Sequence, residues 1–453
     1  MSSQTAPPAQ RFLGPIKLAP GVAPAQIGIF LIVIIAAICM LNFLPLVQAY
    51  IFNEILHIPR NQQGVTAGNL ATVQQLAMLL CVGVWGALAD RIGRRKVLLM
   101  ALCGYCICLS VYPLSSTLTM LFCAQFLYGV AWSAHTAGGA TMMVDFPDNG
   151  SRGKFTGLMI VVQGIAGAIV VGWLGARIPA ALVANGVSPA LAGRYACWAV
   201  AGFGVIGLVL GALFLKNPKP PVGAGEKKTI SQALAGFKSD YQKVLAHARK
   251  NPRFGLVVMM GFVIRSDYAV ILSFMSLWVI NAASGQGVSS VDALKTAGTL
   301  LAVFKIATLV SPLLFGLVAD RVNRTILLVL SLALTGTSLC ATLFISDVMG
   351  LGIHLVVAAI GITESALIIS SQSVFGEEAP GELRGAAMGM FSMVGIVSVV
   401  FISFIGGHLF DSVGYSAPFV LVGILNLLFA VLGAYLVFKS GDRAVFKRPV
   451  SQS

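Results

Sequence analysis

The chain has 453 residues, of which 57% are apolar and only 10% charged, and its mean hydropathy is +0.89. A soluble domain carries about 25% charged residues, so a water-soluble enzyme or binding module is excluded and the composition is that of a polytopic membrane protein. The net charge of +14, from 30 basic and 16 acidic residues, would point to nucleic acid in a soluble chain, but here it is first a question of membrane topology.

Residues 1–26 are polar and proline-rich and are expected as a disordered cytoplasmic tail. They do not read as a cleaved signal, because the next apolar run is too long and lacks a small-residue cleavage site. A helix needs about 20 mostly apolar residues to cross about 30 Å of hydrocarbon. Such stretches occur at 27–50, 68–89, 97–114, 118–143, 157–176, 195–215, 254–281, 296–319, 326–346, 350–373, 386–408 and 416–438. Alternating ten-residue segments of a barrel are absent. Between the sixth and seventh stretches, residues 216–253 hold nine basic and two acidic side chains. This linker opens on a stiff proline run, and about 230–250 suits an amphipathic surface helix. The expected plan is an all-α protein with six helices in 27–215, a cytoplasmic linker at 216–253, six more helices in 254–438 and a cytoplasmic tail at 439–453.

The halves repeat. Gly86, Asp90, Arg91, Gly93, Arg94, Arg95 and Lys96 follow the second stretch; Gly316, Asp320, Arg321 and Arg324 follow the eighth at an offset of 230. After the fourth and tenth stretches, Asp145, Arg152 and Gly153 align with Glu377, Arg384 and Gly385 at an offset of 232. A duplicated six-helix unit is a common plan of secondary transporters. With these residues the chain resembles the major facilitator superfamily from about 27 to 438. That family's pattern after its second helix is Gly-x-x-x-Asp-Arg-x-Gly-Arg-Arg/Lys, and the first copy matches it. The second copy departs, with Asn323 for glycine and Thr325 for a basic residue. The resemblance implies two pseudo-symmetric six-helix bundles, alternating access, cytoplasmic termini, and a network at the motif that stabilises the state closed to the cytoplasm. Gly86 allows close helix approach. Asp145 is a partner for Arg91 or Arg94, and Arg152 can close back on Asp145 or Asp90. The plain alternative, a positive-inside anchor, needs only the basic residues.

With the N-terminus inside, 24 basic and 10 acidic residues fall in cytoplasmic segments, as the positive-inside rule requires. The excess sets orientation and suits contact with anionic lipid. Four charges fall within stretches: Arg265, Asp267, Lys305 and Glu364. Charges in a membrane span are costly and default to a functional reading. At about 1.5 Å per residue, Arg265 and Asp267 lie roughly 17 and 20 Å from the cytoplasmic edge, and Lys305 lies near that depth. The set sums to zero. One reading gives Arg265 or Lys305 to a substrate anion and Asp267 or Glu364 to a proton. The other is an Asp267–Lys305 pair that only holds two helices together.

The first half offers Asn42, Gln74, Gln75 and Gln163, and a polar–aromatic face of Gln125, Tyr128, Trp132 and His135 at helical spacing; packing and interhelical bonding explain any one of them equally well. Glycines at 164, 167, 172, 175, 385, 389, 406 and 407 read as close packing. The family's antiporter signature has Gly-Pro in the fifth helix, which this chain lacks, and its sugar-porter motifs are missing too. Cys103, Cys106 and Cys108 have metal-like spacing but lie in an apolar stretch, so packing is expected, with no metal and no cofactor. Without a phosphate-cradling loop or a nucleophile constellation, neither an ATP-driven pump nor an enzyme is expected. The reading is a monomeric plasma-membrane secondary transporter of a small organic anion or zwitterion, by proton symport. Its alternatives are a drug or metabolite exporter and a non-transporting sensor.

Overall fold

A computed structural model describes residues 12–217, 230–319 and 322–440, with the backbone alone at 230–238, 313–314, 316–319 and 440. The remainder of the tails and linker, together with Asp320 and Arg321 of the second motif, lies outside the described residues.

The chain is all-α apart from a small hairpin, β1 (Phe12–Leu13) and β2 (Ile16–Lys17). Eleven helical spans are long and apolar enough to cross a membrane. In the first half they are α1 (Pro24–Glu54), α2 (Arg60–Ile92), α3 (Arg94–Val111) with its 3-10 extension, the rod of α6 (Arg152–Ile169) and α7 (Gly175–Ala184), and α8 (Pro189–Phe214). The twelfth is α4 (Leu118–His135), running through a π turn into α5 (Thr141–Asp145); Gln125, Tyr128, Trp132 and His135 lie along it. Next comes the amphipathic α9 (Ile230–Lys250). The second half supplies α10 (Pro252–Gly285), α11 (Ser290–Ala319), α12 (Arg324–Cys340), α13 (Leu351–Glu378), α14 (Arg384–Ser412) and α15 (Ala417–Ser440). Boundaries follow local chemistry. Asn251 caps α10 by accepting from the N–H groups of Arg253 and Phe254, and Pro252 fills the first helical position, where no donor is needed.

The helices form two compact units. Among the described residues, the first is 12–47, 54–56 and 73–217; the second is 48–53, 57–72, 230–319 and 322–440. In the first, α3 packs on α4 and α8. Gly204, Gly207 and Gly211 of α8 lie against Met40, Ala36 and Val33 of α1. In the second, α10 packs on α14, α11 on α13, and α12 on α13 and α15. The start of α2 also belongs here, seated on α14 where Gly64 and Gly68 meet Gly407 and Ser403. Small residues let backbones approach, the main means of packing helices in lipid.

The stretch 12–23 is not a free tail. Ile16, Leu18 and Val22 are buried, and the backbone pairs with the loop after α5. The short apolar set within the polar segment finds a surface to cover, and this fixes its backbone.

Candidate functional site

The motif residues come first. Gly93 breaks α2 from α3 with φ at +95°, a conformation that is essentially glycine-only at its ψ of 144°. A Cβ there would lie 2.6 Å from Asn217 Nδ2. Asn217 Oδ1 accepts the Arg95 N–H at 2.9 Å. The Arg95 guanidinium donates to the carbonyls of Gly211 and Ala212 at the end of α8, where helix carbonyls lack intrahelical donors. Arg94 forms an ion pair with the buried Asp145. The approach is made possible by Gly138 in the π turn, where a Cβ would lie 2.8 Å from Leu98 N and 3.0 Å from Arg94 O. Asp90, Arg91 and Arg152 are exposed. A Cβ at Gly86 would meet nothing within 4 Å among the described residues.

The second copy repeats the pair. Arg324 Nη1 lies 3.2 Å from Glu377 Oε2, and these residues stand 230 and 232 positions after Arg94 and Asp145. Arg384 donates to the Gly376 carbonyl at 3.3 Å. Glu378 accepts from Asn251 Nδ2 at 2.6 Å.

The intramembrane charges lie in the second unit. Asp267 is fully buried, and its Oδ1 accepts from Asn426 Nδ2 at 2.7 Å. Its Oδ2, and the Oδ1 of Asn426, have no donor among the described residues. The Asp267–Lys305 pair, the second of the two readings, is not formed among the described residues. Lys305 Nζ instead donates to the Tyr268 hydroxyl at 2.7 Å and lies 4.8 Å from the ring centroid. Glu364 is 2% exposed, with Oε2 unpartnered among the described residues. It interacts electrostatically with both Asp267 and Lys305. Two bonds fix its register: Ser311 Oγ donates to Ile362 O at 2.8 Å, and Ser365 Oγ donates to Thr308 O at 2.9 Å. Gly361 brings α13 onto Phe304 and Ala307 of α11. Arg265 is exposed in mid-helix, its stem lying against Gly395.

The first unit holds an aromatic and amide cluster. Gln125 Nε2 donates to Gln74 Oε1 at 2.6 Å, and the Tyr128 hydroxyl donates to Leu41 O at 2.9 Å. Tyr105 lies 5.4 Å from Tyr128 and 6.2 Å from His135, and Trp132 stands edge-on to Tyr128. The Tyr105 hydroxyl, His135 Nδ1 and Gln125 Oε1 are buried without partners among the described residues. Asn42 donates to Ile38 O at 2.8 Å and lies against Gly167. Cys108 donates its thiol proton to Ala124 O at 3.3 Å, a packing role.

Asn217, Tyr268 and Asn426 were not singled out from sequence. Asn426 had a readable signal, as an amide alone in the apolar run of α15. Tyr268 and Asn217 had none, since their roles depend on which helices meet.

Repeated ion pairs stand at helix ends, and buried charges lie within a bundle of membrane-length helices, as in a polytopic membrane protein. The Major Facilitator Superfamily model matches residues 29–293 and 267–452. The chain belongs to that superfamily. A relative, the magnetosome protein MamZ of Paramagnetospirillum magneticum, is 24% identical over 434 residues, covering 93% of this chain and 64% of MamZ. The chain thus spans less than two thirds of that relative's length. The sialic acid transporter NanX of Escherichia coli is 24% identical, over 84% of this chain and 88% of NanX. A solved structure of the nucleoside transporter NupG superposes with a TM-score of 0.68 at 12% identity, covering 91% of this chain and 99% of that one; this likeness concerns the fold alone.

Proposed function

We propose that the protein is a proton-coupled symporter of a small organic anion or zwitterion, working as a monomer in the plasma membrane with both termini cytoplasmic. One observation carries this reading: the buried charges do not neutralise one another by direct pairing. Lys305 rests on a neutral phenol, and Asp267 and Glu364 each keep an oxygen without a donor among the described residues. A carboxylate left so in low dielectric costs several kcal/mol, and a proton removes the cost. Lys305 and Arg265 are the basic side chains placed to meet an anionic group. A cation in mid-span needs water or a polar lining rather than lipid, which suits the exposure of Arg265. The acidic sugar named for NanX is in keeping with an anionic substrate.

The test is uptake into proteoliposomes under an imposed inward proton gradient, screening labelled organic acids with sialic acid first. Wild type should accumulate one acid class, and acidification inside should accompany uptake. Asp267→Asn or Glu364→Gln should retain exchange of solute while losing gradient-driven accumulation. Full coupling in both variants sinks the proton role. Extrusion driven by the same gradient makes the protein an exporter.

A further inference from the structure

We propose that the segment 12–26 is a positioning element of the gating motif: it holds the loop that carries Asp145 and thereby sets the Arg94–Asp145 pair. The contacts run as a ring through one end of the first unit. The loop 146–151 follows Asp145 directly and ends where α6 begins. Pro147 stops α5 from continuing, so the loop's backbone groups need partners outside a helix. The N-terminal segment supplies them at both ends of the loop. Ala19 N–H donates to Phe146 O at 2.9 Å, and Asp148 N–H donates to Lys17 O at 2.9 Å. Lys17 N–H donates to Ser151 Oγ at 3.0 Å. Buried Ile16, Leu18 and Val22 anchor the segment, and the ring of Phe146, itself buried, lies 4.9 Å from that of Phe30 of α1, tilted by 53°. The Lys17–Asp148 pair at 3.7 Å is half-exposed and adds little.

The ring closes on its other side through α8. Gln26 Nε2 donates to Phe214 O at 3.0 Å, and Gln26 Oε1 accepts the Lys216 N–H at 2.7 Å. The next residue, Asn217, holds Arg95 N–H. The segment thus touches the motif from two directions: through the loop to Asp145, and through residues 214–217 to Arg95. Arg94 and Arg95 are adjacent, so both sides of the ring converge on the start of α3. Removing the segment frees the main chain next to Asp145 and leaves the Arg94 pair without its backing. Residues 12–26 make no contact with Arg94 themselves, and their role is therefore positional.

The experiment uses the full chain purified in detergent. Leu18→Asp uproots the apolar anchor, Ser151→Ala removes one acceptor, and Leu18→Met is the conservative control. In hydrogen exchange read by mass spectrometry, Leu18→Asp should raise exchange of the 146–151 amides on the order of tenfold, and Leu18→Met should leave it unchanged. The decisive readout is a cycle of thermal midpoints with Leu18→Asp, Asp145→Asn and the double variant. Groups acting through one another are non-additive, whereas independent sites add. The double variant should fall by clearly less than the sum of the two single falls. Additive falls assign the segment a merely structural role and overturn the inference. Should Leu18→Asp fail to fold, Ser151→Ala enters the same cycle with the same two outcomes. The cycle measures positioning whether or not the pair gates transport; the gating role itself fails separately if Asp145→Asn leaves the uptake rate unaltered.

Discussion

Two glycines of one motif should answer the same substitution oppositely. At Gly93 an added methyl meets two costs. The backbone at φ +95° and ψ 144° is essentially closed to residues with a Cβ, a strain of about 1–3 kcal/mol. The methyl also lies 2.6 Å from Asn217 Nδ2. Asn217 must move and release the Arg95 N–H, costing about 0.5–1.5 kcal/mol more. Gly93→Ala should therefore destabilise by about 2–4 kcal/mol. At Gly86 the methyl enters open space within a helix, where alanine is favoured over glycine by up to about 1 kcal/mol. Gly86→Ala should be neutral or slightly stabilising. Equilibrium unfolding of the detergent-solubilised protein in sodium dodecyl sulfate, followed by tryptophan fluorescence, measures both. Equal losses at the two positions, or a silent Gly93→Ala, would refute the reasoning that the motif's second glycine serves the turn while a Cβ at its first meets no described residue.

Three further outcomes follow from the same geometry. Asn426→Leu strips the one partner of a fully buried carboxylate and should cost about 1.5–3 kcal/mol, the range for hydrogen bonds to charged groups, whereas Asp267→Leu with Asn426→Leu should be near neutral; unfolding midpoints that rank the double variant below the single one contradict this. Asp411 accepts from the N–H groups of Gly64 and Val65 in the second turn of α2, at 2.8 and 2.7 Å, so Asp411→Ala should lose about 1.5–3 kcal/mol, the range for hydrogen bonds to charged groups. Gly68→Val, pressed onto the Ser403 carbonyl, should lose about 1–3 kcal/mol; wild-type midpoints in both would show that α2 is not held there. Lys305→Met should weaken binding of the anionic substrate about ten- to a hundredfold in a ligand-induced thermal shift, with Tyr268→Phe intermediate; unchanged affinity removes Lys305 from the site.

The fold was legible because membrane helices announce themselves by length and apolarity. Each expected stretch lies within or close to a helix, and the observed helices run longer, as α2 shows by starting at Arg60 where the apolar run begins near 68. Polar residues such as Gln62 and Gln63 continue the helix beyond the apolar limit because the backbone bonds are local, and Gln63 is satisfied by Asn53 and Ile58 O. The motif's Arg94–Asp145 pair was legible as one of two options, because the repeat and the charge signs restrict the partners. What was hidden depends on meeting points. Nothing in 12–23 signals that Leu18 will find Pro147, since the apolar side chains Phe12, Leu13, Ile16, Leu18 and Val22 are scattered among glycines and prolines and form no periodic run.

The four charges within the helices, of which Asp267 and Glu364 are buried, show the same limit more sharply. Their sum is zero, and from sequence alone that sum suggests pairing. Pairing would hold helices together and leave nothing for transport. The structure separates them by neutral partners: an amide on Asp267 and a phenol beneath Lys305. A neutral partner satisfies one bond without cancelling the charge, so the electrostatic cost of burial persists. Stability alone gains little from such an arrangement, since well-packed apolar residues in the same places would do as well or better. Under the proposed function the cost is repaid where the charge changes during the cycle, as when a carboxylate gains a proton or a cation gains an anion. Glu364, in electrostatic reach of both Asp267 and Lys305, is the residue through which those two events would influence each other.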